Sequence, residues 1–578
     1  GNNLSASIKK QIEDLNLSGI EFSESNSRYY PLGDFCSYIV GYAKSYEDQS
    51  IKKMVGEMGL ELSYDKTLKG KNGYKVYQTD ANGYALVDGT LREKDPTNGQ
   101  DIYLTIDSGL QRDLDYLMSN AYNESGAQVV TAGVMEIKTG RILAMSTYPS
   151  FNPNERNIST FNNYFLEGTI ECGSVFKPFI YADSIEEGKY DHNAYYNSGM
   201  YNVYYGNKLV ATIKDHNHGQ GWGSITYDQG LYHSSNVAIC NLLDKGYVTK
   251  EVLTEKLNDL GFFQGDTMDG LACSSSINAY TRSSAGKLEY LTTGFGQGST
   301  VTPYQLLKAY SVFGNGGKTV QPHVVEKIVD PDTNKVTYQA TTQYSKQIFS
   351  ENTVKEVRDL MLGVIEDQQG TGKNYRLDNG VRMIGKTGTG QVVENGGYST
   401  SVYMHSFVGL APYEDPQVVM FITFKSGDSY AQYMPNIVKQ TMTSALQVVN
   451  QYNAPDEKTV DESYTLDSYT NQSVNYVKSK LESKSLNVQV IGNGGSVIEQ
   501  YPLARSKVTS GDKIFIKTEG TDITLPDLTG WSKKEVQTYA SLAEIQLVIE
   551  GTSGHVTSQS IEANQVIHKG DSLSITLS

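Results

Sequence analysis

The sequence has few cysteines, no long apolar run and a shortage of positive charge. Its 578 residues contain four cysteines (Cys36, Cys172, Cys240 and Cys273) and no C-x-x-C pair. This excludes a disulfide-dense scaffold and a zinc ribbon, and leaves free thiols, up to two disulfides, or a mixed-ligand metal site. No run of about 18 apolar residues occurs, which excludes a transmembrane helix within this sequence. Lys and Arg number 49 against 65 Asp and Glu, and the net charge of −16 argues against nucleic acid as a partner.

The composition changes along the chain in a way that predicts several domains. At roughly 100–200 residues per domain, the length predicts three or four of them. Residues 1–100 predict a β-rich module without a large core of its own, with a hairpin turn at Asn82-Gly83. In residues 101–452 helical and strand patterns alternate, which predicts an α+β domain with an antiparallel sheet flanked by helices.

The C-terminal part contains an internal repeat of about 60 residues. Residues 453–519 and 520–578 each show the pattern helix, strand, turn, strand. Each also ends in Gly-Asp followed by an alternating strand, at Gly511-Asp512 and Gly570-Asp571. We therefore predict two small αβ modules in tandem, separate from the larger domain that precedes them.

The stretch ECGSVFKPF, residues 171–179, places Ser174 three residues before Lys177. S-x-x-K is a weak signal alone, since it also occurs at Ser63. Here a helical pattern follows the serine, with Pro178 in its first turn, where a missing N–H costs little. Residues i and i+3 share a helix face, and a helix N-terminus offers free N–H groups and partial positive charge. A desolvated lysine at this position would be neutral and could act as a base.

Two further motifs follow in order. HSSNVAIC supplies Ser234 and Asn236 at a predicted helix start, and MIGKTGTGQ supplies Lys386-Thr387-Gly388-Thr389 on a predicted strand. Each motif is common alone, but together S-x-x-K, S-x-N and K-T-G are typical of penicillin-binding proteins and class A β-lactamases. The three motifs therefore predict an acyl-serine enzyme.

With these motifs the chain resembles the class B penicillin-binding proteins, monofunctional peptidoglycan D,D-transpeptidases, here with two C-terminal PASTA domains. The resemblance extends to RYYPLGDFCSYIVGYA, LTIDSGLQ, AMSTYPSFNPN and GFGQGSTVTPYQLLKAYSVFGNGG, and it covers residues 20–578. It implies an N-terminal pedestal of the dimerisation type at 1–100, a transpeptidase domain at 101–452, and PASTA repeats at 453–519 and 520–578.

The resemblance implies a role for eight residues. The catalytic residues are Ser174, Lys177, Ser234, Asn236 and Lys386, and the substrate-binding residues are Thr387, Gly388 and Thr389. By this resemblance, Ser174 attacks the penultimate D-Ala carbonyl of a stem peptide and Lys177 takes its proton. β-Lactam antibiotics would acylate the same serine.

The remaining motif residues complete the implied site. Ser234 and Asn236 relay protons and hold the substrate amide, Lys386 contributes positive charge, and Thr387 binds the terminal carboxylate. The backbone N–H groups of Ser174 and Thr389 form the oxyanion hole, usually the largest single catalytic contribution.

Two other classes of function stay open at this stage. A D,D-carboxypeptidase or serine β-lactamase-like hydrolase shares the three motifs but needs a group that activates water. A non-enzymatic cell-wall-binding sensor would keep the repeats but has no need of the motifs. The repeats themselves are interpreted either as a structural tail or as weak binders of muropeptide or β-lactam.

The resemblance also implies where the protein works. We expect the extracytoplasmic face of a bacterial membrane, with an N-terminal anchoring helix that this sequence, which begins at Gly1, does not include. We expect a membrane glycosyltransferase of the SEDS type as partner. The PASTA repeats favour septal or spore-wall synthesis, without deciding between cell division and sporulation.

Two departures from the family pattern lie beside the nucleophile. Cys172 and Val175 stand where the family usually has proline and threonine. A thiol, imidazoles and a carboxylate form the ligand set of a four-coordinate zinc site, which some members of the family carry. The candidate ligands are Cys172, Asp215, His216 and His218. The alternatives are a small buried side chain at Cys172 or a disulfide with Cys240 or Cys273.

Overall fold

The structure is a computed structural model. It describes residues 12, 15, 17, 19–20, 22, 28–48, 51–82, 84–394, 396–453, 464–484, 486–504, 506–508, 512–551 and 555–577. The chain divides into two compact units, Gly1–Asn453 and Ala454–Ser578. Among the described residues, no helix has the length and apolar character needed to cross a bilayer.

The first unit is built around an antiparallel sheet of five strands. In chain order they are β1 (Val129–Glu136), β2 (Ile142–Tyr148), β3 (Ile384–Glu394), β4 (Gly397–Ala411) and β5 (Val418–Ser426). Their order in the sheet is β3-β4-β5-β1-β2, and all neighbours are antiparallel. This places β3, which carries the K-T-G motif, at one edge.

Both faces of the sheet are covered because its central strands are apolar at successive positions. On β5, Val419 and Phe421 face one core while Met420 and Ile422 face the other. A strand buried on both faces has a continuous apolar sequence, here VVMFITF, in place of an alternating one. The predicted α+β sandwich with an antiparallel sheet flanked by helices is confirmed.

Five helices flank the sheet or carry site residues. They are α1 (Ser108–Ser125), α2 (Lys177–Glu186), α3 (Asn236–Asp244), α4 (Glu351–Glu366) and α5 (Met434–Asn453). Helices α1 and α5 pack together over one face, while α2, α3 and α4 belong to the core on the other face. The apolar spacing in LQRDLDYLM and VKEVRDLMLGVI predicts α1 and α4 correctly, and Asp107 and Ser350 cap their N-termini.

Further helices, 3-10 turns and strands complete the first unit. The other helices are Ser37–Val40, Gly59–Ser63, Asp65–Leu68, Tyr227–Tyr232, Lys250–Asp259, Lys287–Thr293 and Pro303–Tyr310. The 3-10 turns are Gly173–Phe176, Ala279–Thr281, Ser311–Phe313, Lys373–Tyr375 and Asp428–Gln432. The other strands are Tyr42–Asp48, Ile51–Met58, Tyr74–Thr79, Ala85–Lys94, Asp101–Leu104, Tyr195–Asn197, Met200–Tyr205, Lys208–Lys214, Ser224–Thr226, Asp266–Met268, Leu271–Cys273, Val325–Asp330 and Lys335–Gln339.

The N-terminal module is β-rich, as predicted. The strands Tyr74–Thr79 and Ala85–Lys94 form the hairpin expected at Asn82-Gly83; Gly83 itself lies outside the described residues. The module shares its apolar contacts with the large domain, since Ile39 and Leu60 belong to the main core. It does not form a large core of its own among the described residues.

The second unit contains two similar αβ modules. The first has the helix Val474–Glu482 and the strands Tyr464–Thr465, Asn487–Ile491, Val497–Tyr501, Lys507–Val508 and Lys513–Thr518. The second has the helix Lys533–Ala543 and the strands Ile523–Thr524, Gln546–Glu550, Val556–Gln559, Val566–Ile567 and Ser572–Leu577. Each three-stranded sheet has one parallel and one antiparallel pairing, and the predicted repeat is confirmed.

Candidate active site

The predicted nucleophile lies in a 3-10 turn, Gly173–Phe176, that continues directly into α2 at Lys177. The Lys177 N–H donates to the Ser174 carbonyl, and Pro178 occupies the first turn of α2, as predicted. Sequence periodicity does not distinguish this tight turn from the first turn of the helix. Ser174 is half-buried.

The turn lies directly against the edge strand β3. Gly173 has a φ of +62°, and a Cβ placed there would stand 2.3 Å from the Thr389 carbonyl oxygen. A Cβ on Gly390 would stand 1.6 Å from the Glu171 carbonyl oxygen. Glycine is therefore required at both positions, because any side chain would force the two backbones apart. In an antiparallel ladder the N–H and C=O of one residue point the same way, so the Thr389 N–H is directed, like its carbonyl, toward the side of β3 on which the segment with Ser174 lies.

Lys177 and Lys386 converge on one hydroxyl. Lys177 Nζ donates to the Ser234 carbonyl at 2.5 Å and to Ser234 Oγ at 3.3 Å, and Lys386 Nζ donates to Ser234 Oγ at 2.8 Å. Both lysines are 0% exposed. Burial lowers the pKa of Lys177 to about 7, although the nearby Asp215 carboxylate opposes this. Burial and the neighbouring Lys177 charge hold the pKa of Lys386 well below its ordinary value.

Ser234 is placed by an unusual backbone. Its φ is +56°, a region that residues other than glycine seldom adopt, and it lies between the helix Tyr227–Tyr232 and α3. This brings its hydroxyl to the two lysines, whereas Ser235 caps α3 by accepting from the Ala238 N–H. Asn236, at the first position of α3, donates through Nδ2 to the Lys214 carbonyl at 2.9 Å.

Asp215 stabilises this arrangement by accepting four hydrogen bonds. Its Oδ1 accepts from Ser235 Oγ at 2.8 Å, the Asn236 N–H at 2.7 Å and the Val237 N–H at 3.1 Å. Its Oδ2 accepts from the Gly199 N–H at 2.8 Å. A buried carboxylate at a helix N-terminus satisfies free N–H groups and favours the helix dipole. Asp215 therefore holds the S-x-N segment in position.

Replacing Asp215 by alanine is expected to lower the free energy of unfolding of the first unit by about 3 kcal/mol, because it leaves buried donors without an acceptor. The two tryptophans lie one in each unit, Trp222 and Trp531. In a Trp531→Phe background, urea unfolding followed by Trp222 fluorescence reports the first unit alone. Asp415→Asn, an exposed carboxylate paired with Lys138, is the control with an expected change under about 0.5 kcal/mol. Equal stability of the two variants would contradict this role.

The four predicted zinc ligands do not form a site in this structure. Both oxygens of Asp215 are engaged by α3 and Gly199. The Cys172 thiol is buried, with Sγ 3.8 Å from the Gly173 carbonyl oxygen, and burial raises its pKa well above the ordinary value, whereas zinc binds the thiolate. The His216 ring packs edge-on to Trp222, and His218 has a φ of +60° in the following turn.

Among the residues that the structure describes, no three His, Cys, Asp or Glu side chains are placed to hold one metal ion. The zinc prediction is therefore not supported. The disulfide alternative is not realised either, because all four cysteines are free and buried. The remaining alternative, a small buried side chain at Cys172, agrees with the geometry.

Sequence reasoning missed three contributors to the site. Thr371 accepts a hydrogen bond from Thr387 Oγ1 at 2.8 Å, and Tyr398 donates to Glu171 Oε1 at 3.0 Å. Thr371 and Tyr398 lie in no recognisable motif. Glu171 is adjacent to the S-x-x-K segment, but its side-chain partner is distant in sequence.

Comparisons with known proteins agree with this geometry. Residues 130–445 match the penicillin-binding protein transpeptidase domain, residues 2–104 match the penicillin-binding protein dimerisation domain, and residues 464–520 and 523–578 match the PASTA domain. The chain is 31% identical over 536 residues to Stage V sporulation protein D of Bacillus subtilis, covering 89% of this chain and 79% of the relative. The chain belongs to the class B penicillin-binding proteins.

Other relatives and solved structures agree. This penicillin-binding protein is 28% identical over 442 residues to a probable peptidoglycan D,D-transpeptidase, PenA, of Neisseria meningitidis, covering 74% of this chain and 69% of the relative. The crystal structure of penicillin-binding protein 2X from Streptococcus thermophilus has a TM-score of 0.66 at 26% identity, covering 99% of this chain and 86% of that one.

These findings establish the activity at the level of the family. The penicillin-binding protein is a peptidoglycan D,D-transpeptidase, and membership of the family implies peptidoglycan as substrate and β-lactams as ligands. They support the transpeptidase prediction over the hydrolase and the sensor.

Proposed function

We propose that Ser174 is the acylated nucleophile and Lys177 its base. The observation that carries this is the hydrogen-bonded group of Lys177, Ser234 and Lys386, in which both lysines are completely buried and Lys177 begins the helix that follows the serine. With a pKa of about 7, a large fraction of Lys177 is neutral at neutral pH and able to accept a proton. The lysine pair and the shared hydroxyl form a path for that proton.

In the proposed first step, Ser174 Oγ attacks the carbonyl carbon of the penultimate D-Ala while its proton moves to Lys177 Nζ. The carbonyl oxygen becomes an oxyanion, which the N–H groups of Ser174 and Thr389 stabilise. The C–N bond to the terminal D-Ala then breaks as its nitrogen receives the proton through Ser234. The products are an ester on Ser174 and free D-Ala.

In the proposed second step, an amine of a neighbouring stem peptide attacks the ester carbonyl. The amine loses a proton to Lys177, and Ser174 Oγ regains one as its bond to carbon breaks. A new amide joins the two stems and the enzyme returns to its starting state. Asn236 and Gly388 would line the substrate, and Thr387 would bind the terminal carboxylate, with Lys386 supplying positive charge.

We also propose the setting of this reaction. The proposed domains are a pedestal at 1–100, a transpeptidase domain at 101–452, and PASTA repeats at 453–519 and 520–578. The division of the chain into two units after Asn453 supports the boundary before the repeats. Peptidoglycan substrate implies work at the extracytoplasmic face of the membrane, with an N-terminal anchor and a SEDS-type glycosyltransferase as partner. The similarity to a stage V sporulation protein favours a role in sporulation.

The test is a cross-linking assay. Uncross-linked glycan strands carrying pentapeptide stems are incubated with the protein and digested with a muramidase, and the fragments are separated and weighed by mass spectrometry. We expect dimeric muropeptides and released D-Ala. Tetrapeptide monomers alone would indicate a carboxypeptidase, and rapid turnover of bound penicillin would indicate a β-lactamase. If neither a cross-linked product nor a penicillin adduct formed, the result would favour the non-enzymatic wall-binding sensor.

A further inference from the structure

The segment that carries the nucleophile is held between two stretches of backbone. On one side, Ile170 and Val301 exchange hydrogen bonds of 2.8 and 2.9 Å, and the Gly173 N–H donates to the Gly296 carbonyl at 3.0 Å. On the other side it touches residues 388–390 of β3 without space for a Cβ. A movement of β3 away from this segment would therefore also move Thr389 away from Ser174.

Glu171 lies within this segment, three residues before Ser174, and is 9% exposed. Its Oε1 accepts the Tyr398 hydroxyl at 3.0 Å. Its Oε2 is buried and makes no hydrogen bond among the described residues. Burial raises the pKa of the Glu171 carboxyl, although the Tyr398 hydroxyl and the nearby Gly298 N–H oppose this. A buried carboxylate with few partners is unfavourable by itself. The Tyr398 hydroxyl, with a smaller contribution from the Gly298 N–H, is therefore the main polar contact that holds this side chain in place.

Tyr398, the partner of Glu171, lies next to the turn of the β3–β4 hairpin. It lies on β4 opposite Val393, while the next pairing along the hairpin is Gln391 with Tyr403. Residues 399–402 on β4 therefore stand opposite Val392 alone on β3, so β4 carries three extra residues and the backbone ladder is interrupted there. The hydrogen bond from Tyr398 to Glu171 connects this end of the hairpin to the nucleophile segment, at a point beyond the interruption of the β3–β4 ladder.

We propose that Glu171, acting through Tyr398, is a positioning residue that keeps β3 at its working distance from Ser174. This rests on the proposed function, because the working distance is the one that directs the N–H groups of Ser174 and Thr389 at the same oxygen. Oxyanion stabilisation depends on donors placed about 2.7–3.1 Å from that oxygen. Without the bond between Tyr398 and Glu171, the β3–β4 hairpin holds Thr389 less firmly. We therefore expect the acylation rate constant to fall and the affinity of the initial complex to stay the same.

The experiment measures acylation by a fluorescent penicillin in stopped flow, separating the dissociation constant of the initial complex from the acylation rate constant. Tyr398→Phe and Glu171→Ala are each expected to lower the acylation rate constant about fivefold, with the dissociation constant within about twofold of wild type. Glu171→Gln is expected to restore the rate, because its amide oxygen still accepts the tyrosine hydroxyl. The double variant Glu171→Ala, Tyr398→Phe is expected to be no slower than either single one.

Tyr403→Phe is the matched control, since it removes a hydroxyl from the same strand that donates to the neighbouring Thr400 carbonyl at 3.3 Å, and it should acylate at the wild-type rate. Wild-type acylation by Tyr398→Phe, or losses that simply add in the double variant, would overturn the proposal. Tyr398 is 49% exposed, so its variant tests the idea even where Glu171→Ala folds poorly. A wild-type protein that does not acylate at all would instead contradict the proposed nucleophile.

Discussion

Ser174→Ala is expected to abolish covalent labelling by penicillin completely and to reduce cross-linking to the background of the uncatalysed reaction. The variant keeps the backbone of the 3-10 turn but lacks the hydroxyl that would form the ester. Residual acceleration from positioning alone does not produce an adduct. The measurement is the mass of the intact protein after exposure to penicillin, followed by location of the adduct in the tryptic peptide 157–189.

The matched control is Ser63→Ala. Ser63 begins another S-x-x-K match, Ser63 to Lys66, and its hydroxyl donates to the Gly270 carbonyl at 2.9 Å away from the lysine pair. This variant should gain the full adduct mass. An adduct on Ser174→Ala, or its loss in Ser63→Ala, would show that the nucleophile has been assigned to the wrong serine.

Lys177→Met is expected to slow acylation by about a thousandfold, within the range that a lost general base costs. Methionine replaces the completely buried amine with an apolar chain of similar length. The variant should therefore fold but lack the base that accepts the serine proton. Lys189→Met, at an exposed lysine beyond α2, is the control and should acylate normally. The rate constant of acylation by labelled penicillin measures both.

The same lysine predicts the pH dependence of the wild-type enzyme. Only the neutral amine accepts the serine proton, and burial lowers the pKa of Lys177 to about 7. The acylation rate should therefore fall by about tenfold per pH unit well below pH 7 and reach a plateau above about pH 8. The residual rate of Lys177→Met should not show this rise. A wild-type rate that is flat between pH 5 and 8 would contradict the role of Lys177 as base.

Local patterns were sufficient to predict the elements that carry the motifs. The apolar run around Lys386 predicts a strand, and β3 is one; the serine and apolar residues around Asn236 predict a helix start, and α3 begins there. These signals depend on neighbours a few residues apart, namely side-chain periodicity and capping, so they survive without knowledge of the fold. The tandem repeat was recognisable for the same reason.

The zinc prediction shows that residue type alone is insufficient to identify a metal site. Cysteine, aspartate and histidine close in sequence are a plausible ligand set, but ligation requires their atoms to converge. In the structure Asp215 accepts N–H groups from α3, a role that depends on where that helix begins in space. Asp215 was predicted as a metal ligand, and in the structure it is instead a hydrogen-bond acceptor for the start of α3.

The sequence by itself determined the order of the three motifs, the chemistry of their side chains, the central sheet and the repeat. Only the tertiary structure decided that Lys177 and Lys386 share Ser234 and are fully buried, which makes a neutral lysine available near pH 7. It also joined Glu171 to Tyr398, 227 residues apart. Desolvation and such contacts arise when distant segments pack together, and a local pattern carries no information about that packing.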